Sequence, residues 1–198
     1  MNIAVAPAND GSHIKEGFTL YHSPKLGFDI AYPSDWVVEE SGMEDGIYID
    51  APVSTQSEND NGTKSIDAKS IEEALNEAQK KIEDINLGES ESISMGMFVR
   101  NQTAQDPDNI KTLGVQSLQS KRERISNVNI IEASETTFAG LPAFKTVYTY
   151  GLSSGIKEMS IQALSNNKTY TLSYSAPSYL YDIYLPEVEY AINSTKIK

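Results

Sequence analysis

The residues with the clearest chemical potential are a serine pair between two glycines. Gly151-Leu152-Ser153-Ser154-Gly155 has the G-x-S-x-G spacing of the nucleophile elbow in serine hydrolases. An elbow needs a strand before it and a helix after it, and the catalytic histidine then follows the serine. Here alternating apolar residues predict strands on both sides, and both histidines, His13 and His22, come before Ser153. The pattern therefore predicts a hairpin loop and no enzyme, with a serine hydrolase that uses Ser153 as the alternative.

Four carboxylates at a predicted strand turn are the candidates for a metal site. Carboxylate oxygens are the ligands that calcium prefers in proteins, and several of them on one turn can hold a cation weakly. A solvated surface explains the same residues, because acidic side chains are mostly exposed. A low-affinity calcium or other divalent-cation site is therefore an alternative function for this region. Its candidate ligands are Glu39, Glu40, Glu44 and Asp45.

A second polar stretch has the composition of a calcium loop without its ligands. Asn59-Asp60-Asn61-Gly62 resembles the middle of an EF-hand loop, whose glycine stands at the sixth position. With Gly62 in that position, Ser57 comes first and Ala68 twelfth, where an EF-hand has acidic ligands. We therefore predict a plain loop. The sequence has no nucleotide-binding glycine motif either, so apart from weakly bound calcium we expect no cofactor.

The two histidines lack the sequence neighbours of a catalytic base or a zinc ligand. His13 falls in a polar leader and His22 stands beside a predicted turn. Neither has a second histidine at ligand spacing or an obvious carboxylate partner. We predict surface positions for both.

Aromatic residues divide into a predicted core set and a predicted contact set. Pro186 suits the first position of a terminal helix, which would leave Tyr179, Tyr181 and Tyr184 before it as an exposed patch for a protein partner. Aromatic residues at strand spacing are expected in the core instead. These are Tyr32, Trp36, Tyr148, Tyr170 and Tyr174.

Composition limits the kinds of partner. The chain has 198 residues, 39% of them hydrophobic, no cysteine and a net charge of -12 from 16 basic and 28 acidic residues. Such a charge repels nucleic acids and anionic lipid headgroups, so no nucleic acid is expected. Membrane association would need an anchor or a partner outside this chain. Residues 1–8 lack the basic segment and long apolar core of a signal peptide, which an exported protein would carry upstream.

The order of predicted elements indicates an α+β fold. Short strands dominate, helices stand between them, and no regular βαβ alternation occurs, which predicts a sandwich around a mostly antiparallel sheet. Residues 1–16 are a predicted flexible leader, and residues 17–198 one domain with an inserted polar loop and helix around 52–94. Strands are predicted near residues 18–20, 28–32, 36–40, 47–50, 95–99, 144–150, 159–163 and 170–174, and helices from Ser70, after Pro107 and from Pro186.

Four segments, in this order, resemble PsbP-like domains. Residues 26–36, Leu-Gly-Phe-Asp-Ile-Ala-Tyr-Pro-Ser-Asp-Trp, resemble the family's opening, in which a Gly-Phe strand runs into a Tyr-Pro-x-x-Trp corner. Residues 138–144 are similar to the segment that leads into the family's long hairpin, and residues 168–174 to its penultimate strand. Residues 191–197 resemble its terminal helix and short last strand, so the resemblance covers residues 17–198.

The resemblance implies a fold and a kind of function. The fold is an α-β-α sandwich shared with the Mog protein, with a central, mostly antiparallel sheet. The function is that of an extracytoplasmic or secreted binding or assembly module without catalysis, accessory to an envelope or membrane protein complex through an unidentified protein partner. The insertion around residues 52–94 departs from the compact family pattern, and the chain resembles uncharacterised archaeal and bacterial members of the family.

Overall fold

The described part of the chain forms one antiparallel α+β unit. The computed structural model describes residues 14–41, 45–52, 92–151 and 155–198, all of which belong to the same compact unit. The helix predicted from Ser70 and the EF-hand-like stretch lie outside these residues. The strands are β1 (Phe18–Ser23), β2 (Phe28–Pro33), β3 (Val37–Glu40), β4 (Gly46–Asp50), β5 (Ser94–Asn101), β6 (Asn129–Phe138), β7 (Leu141–Tyr150), β8 (Ile156–Ser165), β9 (Lys168–Pro177) and β10 (Lys196–Ile197), and the helices are α1 (Ile110–Arg124) and α2 (Ser178–Ser194).

The strands form a small sheet and a large sheet. The small sheet has the order β1-β2-β10 and the large sheet the order β3-β4-β5-β9-β8-β7-β6. Every neighbouring pair in both sheets is antiparallel. This arrangement confirms the predicted α+β class and its antiparallel sheet.

Turn residues fix the hairpins of the last third of the chain. Asn166 and Asn167 join β8 to β9 with φ of 51° and 57°, a left-handed conformation that asparagine tolerates better than most residues. Tyr150 faces Ile156 across the β7–β8 hairpin. The predicted hairpin between β7 and β8 is therefore confirmed.

The edge strand β6 is the element that the sequence pattern missed. Its exposed and half-buried residues alternate from Asn129 to Glu135. A bulge between Ile130 and Glu132 shifts the register, and Ile131 is exposed. A strand at a sheet edge needs few apolar side chains because only one neighbour covers it. Its sequence therefore lacks the apolar alternation that identified the other strands.

One face of the large sheet carries the main apolar core, against α2 and the small sheet. Tyr181, Val188 and Ala191 are the buried residues of α2. The Tyr174 hydroxyl on β9 donates a hydrogen bond of 2.8 Å to the Tyr181 carbonyl. The other members of this core on the large sheet include Met95, Met97, Val147, Met159, Ile161 and Leu172.

The opposite face is covered in part by α1. Asn109 caps the helix by accepting a hydrogen bond of 2.9 Å from the Thr112 amide. Only Leu113 and Gly114 are buried on α1, and a Cβ added to Gly114 would lie 2.3 Å from the Phe144 ring. Glycine therefore lets the helix backbone approach an aromatic ring on β7. The start predicted after Pro107 is confirmed.

The last helix begins earlier than predicted. It starts at Ser178, and Pro186 lies inside it, so the predicted start at Pro186 is wrong. Proline has no N–H, and one helical hydrogen bond to the preceding turn is lost there. Buried Tyr181, Val188 and Ala191 follow helical spacing on both sides of the proline. Packing of this apolar face explains why the helix continues through Pro186.

Candidate functional site

The glycine-flanked serine motif connects two strands. β7 ends at Tyr150 and β8 begins at Ile156, and the Ser178 amide of α2 donates a hydrogen bond of 2.8 Å to the Gly155 carbonyl. A strand stands where a nucleophile elbow requires a helix. The hairpin prediction is confirmed by these flanking strands. Ser153 itself lies outside the described residues.

The candidate metal ligands do not converge in the described residues. Glu39 and Glu40 are consecutive on β3, so their side chains point to opposite sides of the strand. The Asp45 carboxylate is 3.3 Å from the Lys25 ammonium. No group of three acidic or histidine side chains in residues 14–41, 45–52, 92–151 and 155–198 is placed to hold a metal ion. Glu44 lies outside these residues, so a site that includes it stays a prediction.

His22 has a carboxylate neighbour that the sequence did not reveal. It faces Asp29 across the β1–β2 hairpin, and its Nδ1 is hydrogen-bonded to the Asp29 carboxylate. The Lys198 ammonium lies 2.8 Å from the same carboxylate. The absence of a carboxylate partner was therefore a wrong inference, whereas the predicted surface position is correct, because the His22 side chain is 54% exposed. His13 lies outside the described residues.

The His22, Asp29 and Lys198 cluster joins the end of the chain to the small sheet. Partial burial favours the neutral form of Asp29, but hydrogen bonds from Lys198 and His22 outweigh it and lower the pKa of the carboxyl. The Lys198 amide also donates a hydrogen bond of 2.9 Å to the Gly27 carbonyl. These contacts hold β10 against β2, which is a structural role.

The predicted tyrosine patch is reduced to one exposed residue. Tyr181 is only 2% exposed, and its ring centre lies 4.6 Å from that of Tyr174. Tyr184 is half-buried and packs edge-on against Trp36 at 6.1 Å. Because the helix already begins at Ser178, spacing of three residues turns Tyr181 and Tyr184 towards the core. Tyr179 remains 37% exposed.

The predicted core aromatics are confirmed. Trp36, Tyr170 and Tyr174 are buried in the main core, and half-buried Tyr32 packs against it. Tyr148 is buried on the other face, beneath α1. The Phe18 ring lies 4.4 Å from the Tyr190 ring on α2, and the Lys15 amide donates a hydrogen bond of 2.7 Å to the Tyr190 hydroxyl. Lys15, which falls in the predicted leader of residues 1–16, therefore contacts α2, and residues 1–13 lie outside the described part.

A polar network lies beneath α1. The Lys121 ammonium donates a hydrogen bond of 3.2 Å to the Tyr148 hydroxyl and lies 4.6 Å from the centre of the ring. Glu158 faces Tyr148 across the β7–β8 pair and is hydrogen-bonded to its hydroxyl. Burial raises the pKa of Glu158 and of Tyr148 and lowers that of Lys121. Each polar group has a partner, so the network serves to hold α1 on the sheet.

Lys121 turns inward, unlike the charged residues that follow it. Its neighbours Arg122, Glu123 and Arg124 are exposed, as expected for the last turn. Helical geometry turns Lys121 inward because it stands two turns after Gly114, which contacts the Phe144 ring. A run of charged residues in a sequence does not show which of their side chains faces the protein interior.

A groove lies on the same face of the large sheet in the described residues. Its volume is about 570 Å³. Cross-strand register brings Phe98, Thr171 and Gln162 side by side on β5, β9 and β8, and sets Arg100 opposite Thr169. No motif marks this groove in the sequence, and only the polar residues at alternate positions of β9 signal it. It is lined by Asp45, Phe98, Val99, Arg100, Asn101, Gln162, Thr169 and Thr171.

The described helices include none with the length and apolar character needed to cross a membrane.

Together, the two helices and antiparallel sheets define a PsbP/Mog-like α-β-α sandwich. The chain belongs to the PsbP-like protein family, which matches residues 9–197. This match confirms the family resemblance of the sequence. The comparison with curated proteins gave no match.

Solved structures of distant proteins share this fold. The solution structure of cyanobacterial PsbP from Synechocystis sp. PCC 6803 has a TM-score of 0.58 at 11% identity, covering 97% of this chain and 98% of that one. LpqN of Mycobacterium tuberculosis, involved in cell envelope biogenesis, has a TM-score of 0.55 at 13% identity, covering 91% and 90%. The Ran-binding protein Mog1p of Saccharomyces cerevisiae has a TM-score of 0.53 at 7% identity, covering 91% and 95%. At such identities the likeness concerns the fold alone.

Proposed function

We propose that the chain is an extracytoplasmic, non-catalytic binding or assembly module that serves an envelope or membrane protein complex through a protein partner. The observation that carries this proposal is membership of the PsbP-like family over residues 9–197. LpqN, of the same fold, is involved in cell envelope biogenesis, and Mog1p binds the protein Ran. These proteins suggest a binding role for this chain.

The use of the titratable groups supports a binding role. Lys121 and Glu158 are held in a network beneath α1, and His22 is held between β1 and β2. A catalytic acid or base needs access to a substrate and a pKa near the working pH. Lys121 and Glu158 are instead engaged beneath α1, and the exposed His22 is engaged with Asp29 in a contact that joins β1 to β2.

Tyr179 is the residue that we assign to the partner interface. It lies in the first turn of α2, directly after Ser178, whose amide binds the Gly155 carbonyl of the β7–β8 connection. Tyrosine is enriched at interfaces because it offers a large ring and a polar tip at small cost in side-chain entropy. We therefore expect contact between the partner and this end of the molecule.

Site-specific photo-crosslinking in the source cells tests the interface. A benzophenone amino acid at position 179 should give one discrete adduct, and excess purified protein should suppress it. The matched control places the same group at Thr137, an exposed residue of the edge strand β6. Equal adducts at both positions, or none at position 179, would contradict the assignment.

Two further measurements test location and catalysis. Protease added to intact cells or spheroplasts should digest the protein if it lies outside the cytoplasm. A fluorophosphonate probe should leave the purified chain and its Ser153→Ala variant equally unlabelled. Labelling that depends on Ser153 would replace the binding proposal with a serine hydrolase.

A further inference from the structure

We propose that Asn101, Asn167 and Asn193 carry N-linked oligosaccharides. Each of them begins an Asn-x-Thr triplet, which is an acceptor sequence for this modification. The proposal rests on the proposed extracytoplasmic location, because this glycosylation is a property of exported chains. A fourth triplet begins at Asn61, outside the described residues, and is not part of the proposal.

The number and kind of these triplets differ from what chance would give. The chain contains thirteen asparagines and twelve threonines, and random placement of the threonines predicts roughly one Asn-x-Thr triplet, whereas four occur. Serine can also complete an acceptor triplet, yet none of the twenty-three serines stands two residues after an asparagine. The excess is therefore confined to threonine, and a polar, serine-rich composition does not explain it.

The structure leaves the three asparagine side chains available for a bulky group. All three are exposed: Asn101 ends β5, Asn167 lies in the β8–β9 turn, and Asn193 lies in the last turn of α2. Within the described residues none of their side-chain amides takes part in a hydrogen bond. Asn109, by contrast, caps α1 with its side chain and begins no acceptor triplet. An oligosaccharide at the three sites would thus break no side-chain hydrogen bond among the described residues.

Thr169 has a buried hydroxyl whose presence the acceptor triplet explains. The residue is 4% exposed, and its hydroxyl oxygen has no hydrogen-bond partner within the described part of the chain. Valine has nearly the same shape and would avoid a buried polar group without a partner, so the folded state does not account for threonine here. Before β9 folds, the same hydroxyl is accessible and completes the triplet of Asn167. Transfer to Asn167 therefore precedes the folding of β9.

The acceptor sites lie away from the assigned partner interface at Tyr179. Asn167 and Tyr179 flank opposite ends of β9, whose ten residues span roughly 30 Å. Asn101 is close to Asn167, because the amide of the next residue, Gln102, donates a hydrogen bond of 2.7 Å to the Asn167 carbonyl. Asn193 and Tyr179 stand near opposite ends of α2, about 20 Å apart along the helix. Oligosaccharides at these sites would leave the interface open.

The modification is a glycosyl transfer from a lipid-linked donor. The side-chain nitrogen of asparagine forms a bond to C1 of an oligosaccharide carried on a lipid phosphate, and the bond between C1 and the phosphate oxygen breaks. The lipid phosphate leaves with the electron pair of that bond, and the amide nitrogen gives up one proton to a base of the transferase. Donor and transferase belong to the source cells, so this chain supplies only the acceptor.

Peptide mass spectrometry of the protein purified from its source cells tests the proposal. Peptides with Asn101, Asn167 or Asn193 should be heavier by the mass of an oligosaccharide, and the same peptides of protein made in a bacterial cytoplasm should not. Asn166 is the internal control, because it is exposed in the same turn as Asn167 but begins no acceptor triplet. Any site without added mass is overturned individually, and equal modification of Asn166 would overturn the proposal as a whole.

Two substitutions at Thr169 test the role of its hydroxyl. Thr169→Val should abolish the added mass at Asn167 and leave that at Asn101 unchanged, whereas Thr169→Ser keeps a hydroxyl and should retain both. The melting temperature of unglycosylated Thr169→Val should be no lower than that of the unglycosylated parent, because the lost hydroxyl has no partner in the described fold. Persistence of the modification at Asn167 in Thr169→Val would contradict the assigned role.

Protease added to intact source cells separates this proposal from the proposed function. A protein that is digested from outside and carries no oligosaccharide contradicts the modification alone. A protein that is protected from the protease and unmodified contradicts the extracytoplasmic location as well. Digestion from outside together with added mass at the triplets is the expected result.

Discussion

The two faces of the large sheet are covered in different ways. Against α2 the contacts are apolar and extensive, with Tyr181, Val188 and Ala191 buried in one continuous core. Against α1 only Leu113 and Gly114 are buried on the helix, and its later part is held by the Lys121, Tyr148 and Glu158 network. Apolar burial is non-directional, whereas a polar network stabilises only when every partner is in place. Stability should therefore depend mainly on the α2 face and positional precision on the α1 face.

The largest difference should come from adjacent residues of β9 on opposite faces. Leu172 is fully buried on the α2 side, so Leu172→Ala should lower the free energy of unfolding by about 2–5 kcal/mol. Ser173→Ala on the other side should cost less than about 1 kcal/mol. Urea unfolding of both variants measures the contrast. Equal losses of unfolding free energy in the two variants would show that the two faces contribute equally to stability.

Gly114→Ala tests the close contact beneath α1. Alanine normally stabilises a helix by about 1 kcal/mol over glycine. Here the new Cβ would lie 2.3 Å from the Phe144 ring, and overpacking should cost about 1–3 kcal/mol, which predicts a net loss. Adding Phe144→Leu to the Gly114→Ala variant should restore part of the lost stability. Exposed Val115→Ala is the control, and a net gain from Gly114→Ala would contradict the contact.

The pH dependence of unfolding tests the polar network. Burial raises the folded-state pKa of Glu158 above its ordinary value of 4.5, so the folded state holds the proton more tightly. The stability from this group is present below pH 4.5 and is lost as the pH rises through the folded-state pKa. Glu158→Gln should remove this decline, which urea unfolding over a pH series measures. Parallel curves for both proteins would exclude a raised pKa at Glu158.

The smallest effect should come from the exposed ion pair between α2 and β8. The Lys157 ammonium lies 3.0 Å from the Asp182 carboxylate, which is 74% exposed. Asp182→Asn should therefore lower the free energy of unfolding by at most about 1 kcal/mol, and high salt should remove the difference. A larger or salt-independent loss would mean that this surface ion pair contributes as much to stability as a core contact.

Sequence patterns predicted the elements whose side chains alternate or repeat around a buried face. β7, β8 and β9 were recognisable because their apolar residues recur with the period of a strand, and the Asn166-Asn167 turn marks one hairpin. The start of α2 was not recognisable from the sequence. Proline is common at the first position of a helix, so Pro186 suggested a start there, although the apolar face of α2 continues on both sides of it. β6 was not recognisable because an edge strand carries few apolar residues.

Candidate sites depended on register, which a single sequence does not display. His22 and Asp29 meet because β1 and β2 pair in one register, and a shift by one residue would separate them. The groove joins side chains of the consecutive strands β8 and β9 to those of β5, which lies much earlier in the sequence. The serine motif, in contrast, was interpretable from its neighbours alone, since strand patterns flank it on both sides.

The bulge at Ile131 affects how one molecule meets another. β6 ends the large sheet, and an open strand of ten residues offers backbone groups on which a second chain could form an intermolecular sheet. The bulge shifts the register between Ile130 and Glu132, so a straight strand from another molecule cannot follow the whole edge. This single extra residue is the kind of irregularity by which natural proteins limit pairing between the edges of two sheets.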